Sequence, residues 1–327
     1  MLSNNSEICL QATGLTKRFG PRMAVEDLNL EVFQGEVFAL LGPDGAGKTT
    51  TMRMLSGILQ QDEGQARLWE FDTLRQTRQL RERLGYLPQS FGLYDDLTVA
   101  ENLIFYADLC RVPRAQRRQR MPELLAFANL TPFQDRLAGK LSGGMRQKLG
   151  LICTLVHQPR LLLLDEPTTG MDPVSRQEFW LILHELLKTG ATIFLATPDM
   201  DEAERAHRVG LMHQGRLLMA ASPQALKEAF AGELLELRTP DLRAARRILT
   251  GQPYLRQVLA MGDRIVLTVD RAEAAKGLIE QTLSQAGVTA VRISETNLDW
   301  KISLCRSWAG KRGDGYRFCH RSQEPHP

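Results

Sequence analysis

Residues 141–147 read Leu141-Ser142-Gly143-Gly144-Met145-Arg146-Gln147, and their place between two other segments decides the fold. Ser142 is a helix-capping residue type, and the apolar positions Met145, Leu149, Ile152 and Val156 follow at helical spacing. That stripe belongs in a core. The start of the helix, with two glycines beside the serine, is an anion site, because its first N–H groups lack partners. Upstream stands a second glycine-rich segment, Gly42-Pro43-Asp44-Gly45-Ala46-Gly47-Lys48-Thr49-Thr50. It follows the short apolar run Val37 to Leu41 and opens a helix from Thr49 to Leu55, the strand–loop–helix context that phosphate binding requires. Downstream, Leu161 to Leu164 lead into Asp165-Glu166. Four consecutive leucines read as a strand buried on both faces, typical of a parallel sheet, and Ala191 to Ala196 reads the same way.

The chemistry of these segments points to a nucleoside triphosphate. A loop of small residues turns successive N–H groups toward phosphate oxygens, and the following helix adds its positive end. Gly42, Gly45 and Gly47, with Ala46, permit the close approach, and Lys48 is placed to bridge the β- and γ-phosphates. Thr49 offers a hydroxyl for Mg²⁺, and Thr50 continues the loop into the helix. A carboxylate at Asp44 would repel phosphates if it pointed inward, so it is expected to point outward. Adjacent carboxylates at the end of a buried strand are rare without a cation or proton to handle. Asp165 is therefore the candidate Mg²⁺ carboxylate and Glu166 the candidate general base.

In order and spacing the three segments resemble the ATP-binding subunits of ABC transporters, over about 19–215. The resemblance implies a P-loop NTPase core of α/β class with an inserted helical subdomain, cofactors ATP and Mg²⁺, and a set of further roles. Gln89, after a strand Leu84 to Leu87, matches the glutamine that reaches Mg²⁺ and water and senses the membrane partner. Phe19 sits where the family places an aromatic that stacks on adenine. Ser142, Gly143 and Gly144 match the segment that closes over a γ-phosphate held by a second nucleotide-binding domain, in trans or in a fused half. Gly170-Met171-Asp172 matches the loop lining that contact. Asp44 departs from the family's usual asparagine. The switch histidine is missing too: Thr197-Pro198-Asp199-Met200-Asp201-Glu202 carries Pro198 in its place, and proline has neither a side-chain donor nor an N–H.

The chain is expected to divide into an ATPase domain, 1–230, with the helical subdomain at about 90–160, and a small appendage, 231–296. Helices are expected at 99–109 and 116–129. In the appendage, strands at 234–237, 258–261, 264–269 and 288–293 alternate with helices to give the order strand-helix-strand-strand-helix-strand. This is a small split βαβ, ferredoxin-like α+β domain. Thr239-Pro240 reads as the start of its first helix, a threonine cap with proline at the first position. Its hairpin is expected to turn at Gly262-Asp263. The last segment, 297–327, has six Lys or Arg and no helical or strand period. It reads either as a disordered basic tail or as a frameshifted or truncated end, the chain then being the first half of a longer tandem ATPase.

Composition narrows the class. The 327 residues are 43% hydrophobic and 24% charged, ordinary for a globular protein. A net charge of +3 is too small to argue for nucleic acid. No apolar run approaches the roughly 20 residues that span a bilayer, and the first ten residues show no secretion signal. Five scattered cysteines without CxxC spacing suit reduced thiols. The five arginines Arg111, Arg114, Arg117, Arg118 and Arg120 read as a solvated helix face, or as a contact to lipid phosphates or to an acidic loop. Three functions stand open. The first is the energy-coupling ATPase of an exporter with membrane-spanning subunits on separate chains, peripheral on the cytoplasmic side of the plasma membrane; the sequence looks most like the first cassette of tandem ATPases of bacterial drug or lipid exporters. The second is a regulatory module that holds ATP with a degenerate switch at Pro198. The third is a soluble ABC ATPase.

Overall fold

The computed structural model describes residues 7–229, 233–261, 263–288 and 292–296. The chain opens with the long hairpin β1 (Ile8–Phe19) and β2 (Arg22–Phe33), followed by β3 (Val37–Leu41) and α1 (Lys48–Leu55). Then come β4 (Glu63–Leu68), β5 (Phe71–Asp72), α2 (Thr77–Arg81) and β6 (Leu84–Leu87). The inserted helices α3 (Val99–Leu109) and α4 (Arg114–Phe127) precede α5 (Gly143–Leu155), β7 (Leu161–Asp165), α6 (Pro173–Lys188) and β8 (Thr192–Thr197). The core closes with α7 (Met200–Ala203), β9 (Arg208–His213), β10 (Arg216–Ala221) and α8 (Pro223–Ala229). The appendage is β11 (Glu233–Arg238), α9 (Leu242–Leu249), β12 (Gln257–Met261), β13 (Arg264–Val269), α10 (Ala272–Gln285) and β14 (Arg292–Thr296).

Six strands form the central sheet in the order β10-β9-β3-β8-β7-β6, all parallel except β10. The continuous apolar runs are explained by burial on both faces. Val37, Ala39 and Leu41 of β3, Leu162 and Leu164 of β7, and Ile193 and Leu195 of β8 pack into one core with α3, α5 and α6. Their neighbours Phe38, Leu40, Leu161, Leu163, Phe194 and Ala196 point the other way, onto α1 and the sheet β2-β1-β4-β5. This is the period-two side-chain alternation of a strand, with hydrophobic residues on both sides. Phe38 and Phe194 stack with ring centroids 5.3 Å apart in the middle of the second core.

The inserted helices are built locally. Thr98 and Glu101 form a reciprocal capping box at the start of α3, with bonds of 3.1 and 2.8 Å. Asn102, fully buried, gives its amide to the carbonyls of Tyr94, Leu97 and Thr98 and accepts from the Tyr94 N–H. It thereby ties the loop that follows Gln89 to α3. The arginines of α4 divide. Arg117 pairs with Asp108 and donates to the Val112 carbonyl, and Arg120 donates to the Leu155 carbonyl. Arg114, Arg117 and Arg118 also line a groove of about 450 Å³ with Ile104 and Met121.

The appendage has sheet order β12-β13-β11-β14, all neighbours antiparallel, as a ferredoxin-like domain does. Leu235, Leu237, Ile265, Leu267 and Val269 face α9 and α10. Leu234, Leu259 and Val266, on the other face, join Leu226 of α8 in the larger core. Its first helix starts later than Thr239-Pro240 suggests. Asp241 is the cap, accepting from the Ala244 N–H at 2.9 Å, and α9 begins at Leu242. An aspartate one step past the proline captures the orphan N–H more directly than the threonine two residues earlier. The last strand is β14 (Arg292–Thr296), later than 288–293, and 289–291 lie outside the described residues. So do Gly262, at the expected hairpin turn, and the whole segment 297–327.

Because the second core rests on the stacked pair, Phe194→Ala should lower unfolding stability by about 3–5 kcal/mol. A urea denaturation midpoint indistinguishable from that of the parent would contradict this account of the core.

Candidate active site

The phosphate loop leaves the carboxyl end of β3 and is pinned on two sides. The Gly42 N–H donates to the Thr197 carbonyl at 3.3 Å, and the Gly215 N–H donates to the Ala46 carbonyl at 2.8 Å. Gly47 has φ 108°, and a Cβ there would stand 2.5 Å from the Ala24 carbonyl oxygen, so the position accepts only glycine. Asp44 is exposed, as expected for a carboxylate turned away from the loop interior. Arg22 overhangs the loop, its guanidinium 3.6 Å from where a Gly45 Cβ would lie.

Three segments, the start of α1, β6 with the loop after it, and β7 with the turn after it, bring side chains together at this end of the sheet. Lys48 is buried; its Nζ donates to the Gly42 carbonyl at 2.8 Å and the Pro43 carbonyl at 3.1 Å, and lies 3.2 Å from Glu166 Oε1. Thr49 Oγ1 donates to Asp165 Oδ1 at 3.1 Å. Gln89 Nε2 donates to Glu166 Oε2 at 3.2 Å, and the Tyr86 hydroxyl reaches Asp165 Oδ2 at 3.4 Å. Asp165 is fully buried, and burial pushes its carboxyl above the ordinary aspartate range; the Thr49 hydrogen bond opposes the shift and the neighbouring Glu166 charge adds to it. Glu166 adopts φ 50°, the left-handed region, where a non-glycine residue costs on the order of 1–3 kcal/mol. Its N–H is held by the Ala196 carbonyl at 2.9 Å.

The remaining expected residues lie apart from this cluster, and none forms a hydrogen bond with it among the described residues. Phe19 ends β1 half exposed, with the Lys17 ammonium 5.6 Å from its ring centroid. Ser142 caps α5, its hydroxyl accepting from the Met145 N–H at 3.3 Å. Gly143 is exposed. Gly144 lies against α6, and a Cβ there would stand 2.5 Å from Ser175 Oγ. A glycine lets the two helix starts meet. The stripe on α5 is wider than the four apolar positions suggest. Lys148 is buried and paired with Glu178 of α6, a contact that the Met145–Leu149 spacing gives no reason to expect. Arg146 donates to Asp95 at 2.5 Å and to the Ala138 carbonyl at 3.0 Å, so the signature segment holds the loop after Gln89.

Pro198 stands at the end of β8, where it contributes no donor. The four described histidines serve elsewhere. His207 accepts from the Val37 N–H at 2.9 Å, His157 contacts the Leu84 carbonyl at 3.1 Å, and His184 contacts the Trp180 carbonyl at 2.8 Å. His213 is buried beside Arg264, and burial first, then that charge, holds its pKa below the ordinary range. Arg22, Tyr86, Asn102 and Lys148 belong to none of the motifs that the sequence shows. Only the short distances from Asn102 to the expected loop and from Tyr86 to Gln89 were available as signals.

A glycine loop between a buried parallel strand and a helix, with two carboxylates at the end of a neighbouring parallel strand, defines a P-loop nucleoside triphosphatase core. A family model described as "ABC transporter" matches residues 25–169. The probable multidrug ABC transporter ATP-binding protein YbhF of Escherichia coli is 50% identical over 256 residues, 77% of this chain and 44% of that protein. The chain thus spans less than half the length of that relative. The Nod factor export ATP-binding protein I of Paraburkholderia xenovorans is 38% identical over 277 residues, covering 84% of this chain and 90% of that protein. Among solved structures, an ATP-binding subunit of an ABC transporter is 27% identical with a TM-score of 0.62, covering 68% of this chain and 93% of that one. A dimeric ATP-binding cassette bound to ADP and phosphate is 25% identical with a TM-score of 0.60, covering 65% and 98%. The chain belongs to the ATP-binding proteins of ABC transporters. No helix among the described residues is long and apolar enough to cross a membrane.

Lys48→Ala should weaken nucleotide binding more than tenfold, since a charge-assisted contact to a polyanion contributes about 2–3 kcal/mol. Equilibrium titration with a fluorescent ATP analogue checks this; unchanged affinity would remove the lysine from the binding site.

Proposed function

We propose that this chain binds MgATP at the end of β3 and hydrolyses it to drive export through membrane-spanning subunits carried on separate chains. The observation that carries the reading is the convergence of Lys48, Thr49, Gln89, Asp165 and Glu166 from three segments, with Lys48 and Gln89 on Glu166 and Thr49 on Asp165. In this role the loop N–H groups not already bonded within the protein, from Asp44 to Thr50 apart from Ala46, cradle the phosphates, and Phe19 offers its exposed ring to adenine. Thr49 and Asp165 supply adjacent hard oxygen donors, the set Mg²⁺ prefers beside phosphates, and Gln89 lies within reach of the same place. A bound metal ion would supply neutralisation of the phosphate charge. Lys48, now spent on two loop carbonyls and Glu166, turns to the phosphates. Glu166 is thereby released to accept a hydrogen bond from the attacking water and orient it, with Gln89 beside it.

Ser142, Gly143 and Gly144 supply the helix-start anion site of α5, proposed to cover the γ-phosphate of a second nucleotide-binding domain. The dimeric relative with ADP and phosphate supports that arrangement. The names of the multidrug and Nod factor relatives support export as the direction. Placement on the cytoplasmic side of the plasma membrane follows from the same reading.

One observation favours a second reading, a module that holds ATP and turns it over weakly. Pro198 removes the donor that the switch position normally aims at the γ-phosphate. Steady-state phosphate release separates the two. The parent should hydrolyse slowly, and Glu166→Gln should remove that turnover while keeping MgATP affinity. Pro198→His should raise the rate, by up to about 10²-fold for a donor in a preorganised site. A parent that binds MgATP with no turnover, unchanged by Pro198→His, would favour the holding module.

A further inference from the structure

The buried carboxylate Glu202 lies outside the cluster described above. It is only 2% exposed, and both of its oxygens are engaged by threonine hydroxyls from different parts of the fold. Thr168 Oγ1 donates to Oε1, and Thr197 Oγ1 donates to Oε2 at 2.7 Å. Thr168 lies two residues beyond Glu166, in the turn that holds Glu166 in its left-handed conformation. Thr197 ends β8, immediately before Pro198. The same threonine extends the chain of contacts in two directions. Its hydroxyl accepts from the Asp199 N–H at 3.0 Å, and its carbonyl accepts the Gly42 N–H of the phosphate loop. Asp199 in turn pairs with Arg176 of α6 at 2.7 Å.

We infer that Glu202 is a positioning residue for hydrolysis, a two-oxygen tether that fixes the Glu166 turn to the end of β8 and, through Thr197, to the phosphate loop. The inference rests on the reading of Glu166 as the residue that orients the attacking water. Two facts make the tether consequential. Glu166 sits in a backbone region that persists only where its surroundings impose it, and the turn has two anchors to β8 and α7. One is the Glu166 N–H on the Ala196 carbonyl; the other is Thr168 on Glu202. With proline at 198 there is no switch side chain at the end of β8, so apart from Lys48 and Gln89 on the Glu166 carboxylate the turn depends on these contacts behind it. A tether acts through hydrogen bonds and not through charge. An amide at 202 would preserve both contacts, its oxygen accepting from one hydroxyl and its N–H donating to the other.

The test compares Glu202→Ala, which deletes both contacts, with Glu202→Gln, which keeps them. Full-length protein is assayed for MgATP affinity, steady-state hydrolysis and backbone hydrogen exchange. Glu202→Ala should lose about tenfold or more in kcat, the scale of lost hydrogen bonds to a carboxylate, while nucleotide affinity stays within about threefold. Exchange should accelerate in segments 166–171 and 197–203 and stay unchanged in 48–55. Glu202→Gln should stay close to the parent on every measure. If Glu202→Ala does not fold, Thr168→Val removes one contact at nearly constant shape and should lower kcat with affinity retained. Parental kcat and exchange in Glu202→Ala, or in Thr168→Val where that stands in, would overturn the inference. So would exchange rising evenly over the whole core, or a Glu202→Gln variant as defective as the alanine. A parent that binds MgATP without hydrolysing it would defeat the proposed function instead, and the exchange comparison would still decide whether Glu202 tethers the turn.

Discussion

The arrangement depends on one constraint: a loop that gives its N–H groups to a polyanion cannot also satisfy them within itself, so something else must hold it still. Here that support comes from behind. β3 is paired on both sides, to β8 and β9, and buried on both faces, so the carboxyl end from which the loop springs is fixed. The Thr197 carbonyl receives the loop's first N–H, and the β9–β10 turn donates into its middle. Rigidity supplied by neighbours lets such a loop keep N–H groups for an anion, which is the condition for a preorganised site.

The buried Lys48–Glu166 pair follows from the same constraint. A buried lysine charge needs a partner. Glu166 and two loop carbonyls provide it. The ion pair engages the residue proposed to orient water.

The signature helix is anchored with similar care at a distance. Ser142 caps it, Gly144 lets it touch α6, Lys148 pairs across to Glu178, and Arg146 holds Asp95 in the loop beyond Gln89. Asn102 fastens that loop to α3 from its other side. The loop that carries Gln89 is therefore tied both to the phosphate side, through Glu166, and to the inserted helices. The appendage adds a third layer by using both faces of its sheet. One face packs on its own helices, and Leu234, Leu259 and Val266 extend the ATPase core.

Local pattern was enough to read much of this. Gly42-to-Thr50 after an apolar run, four leucines before Asp165-Glu166 and the capped stripe after Ser142 identify a P-loop fold, because strand burial, helix capping and glycine's backbone freedom act over a few residues. The loss of the donor at Pro198 is likewise local, since proline lacks one in any fold. Other features depend on contacts between segments far apart in the chain. Gly144 against Ser175, Lys148 against Glu178 and Glu202 between Thr168 and Thr197 carry no periodic signal. A buried charge at position 148 or 202 reads in sequence as a solvated one, and only the partner across the fold makes its burial tolerable. The start of α9 shows the limit at short range as well. Thr239-Pro240 and Asp241 are both sound caps, and the Asp241 carboxylate, accepting from the Ala244 N–H, sets the start at Leu242.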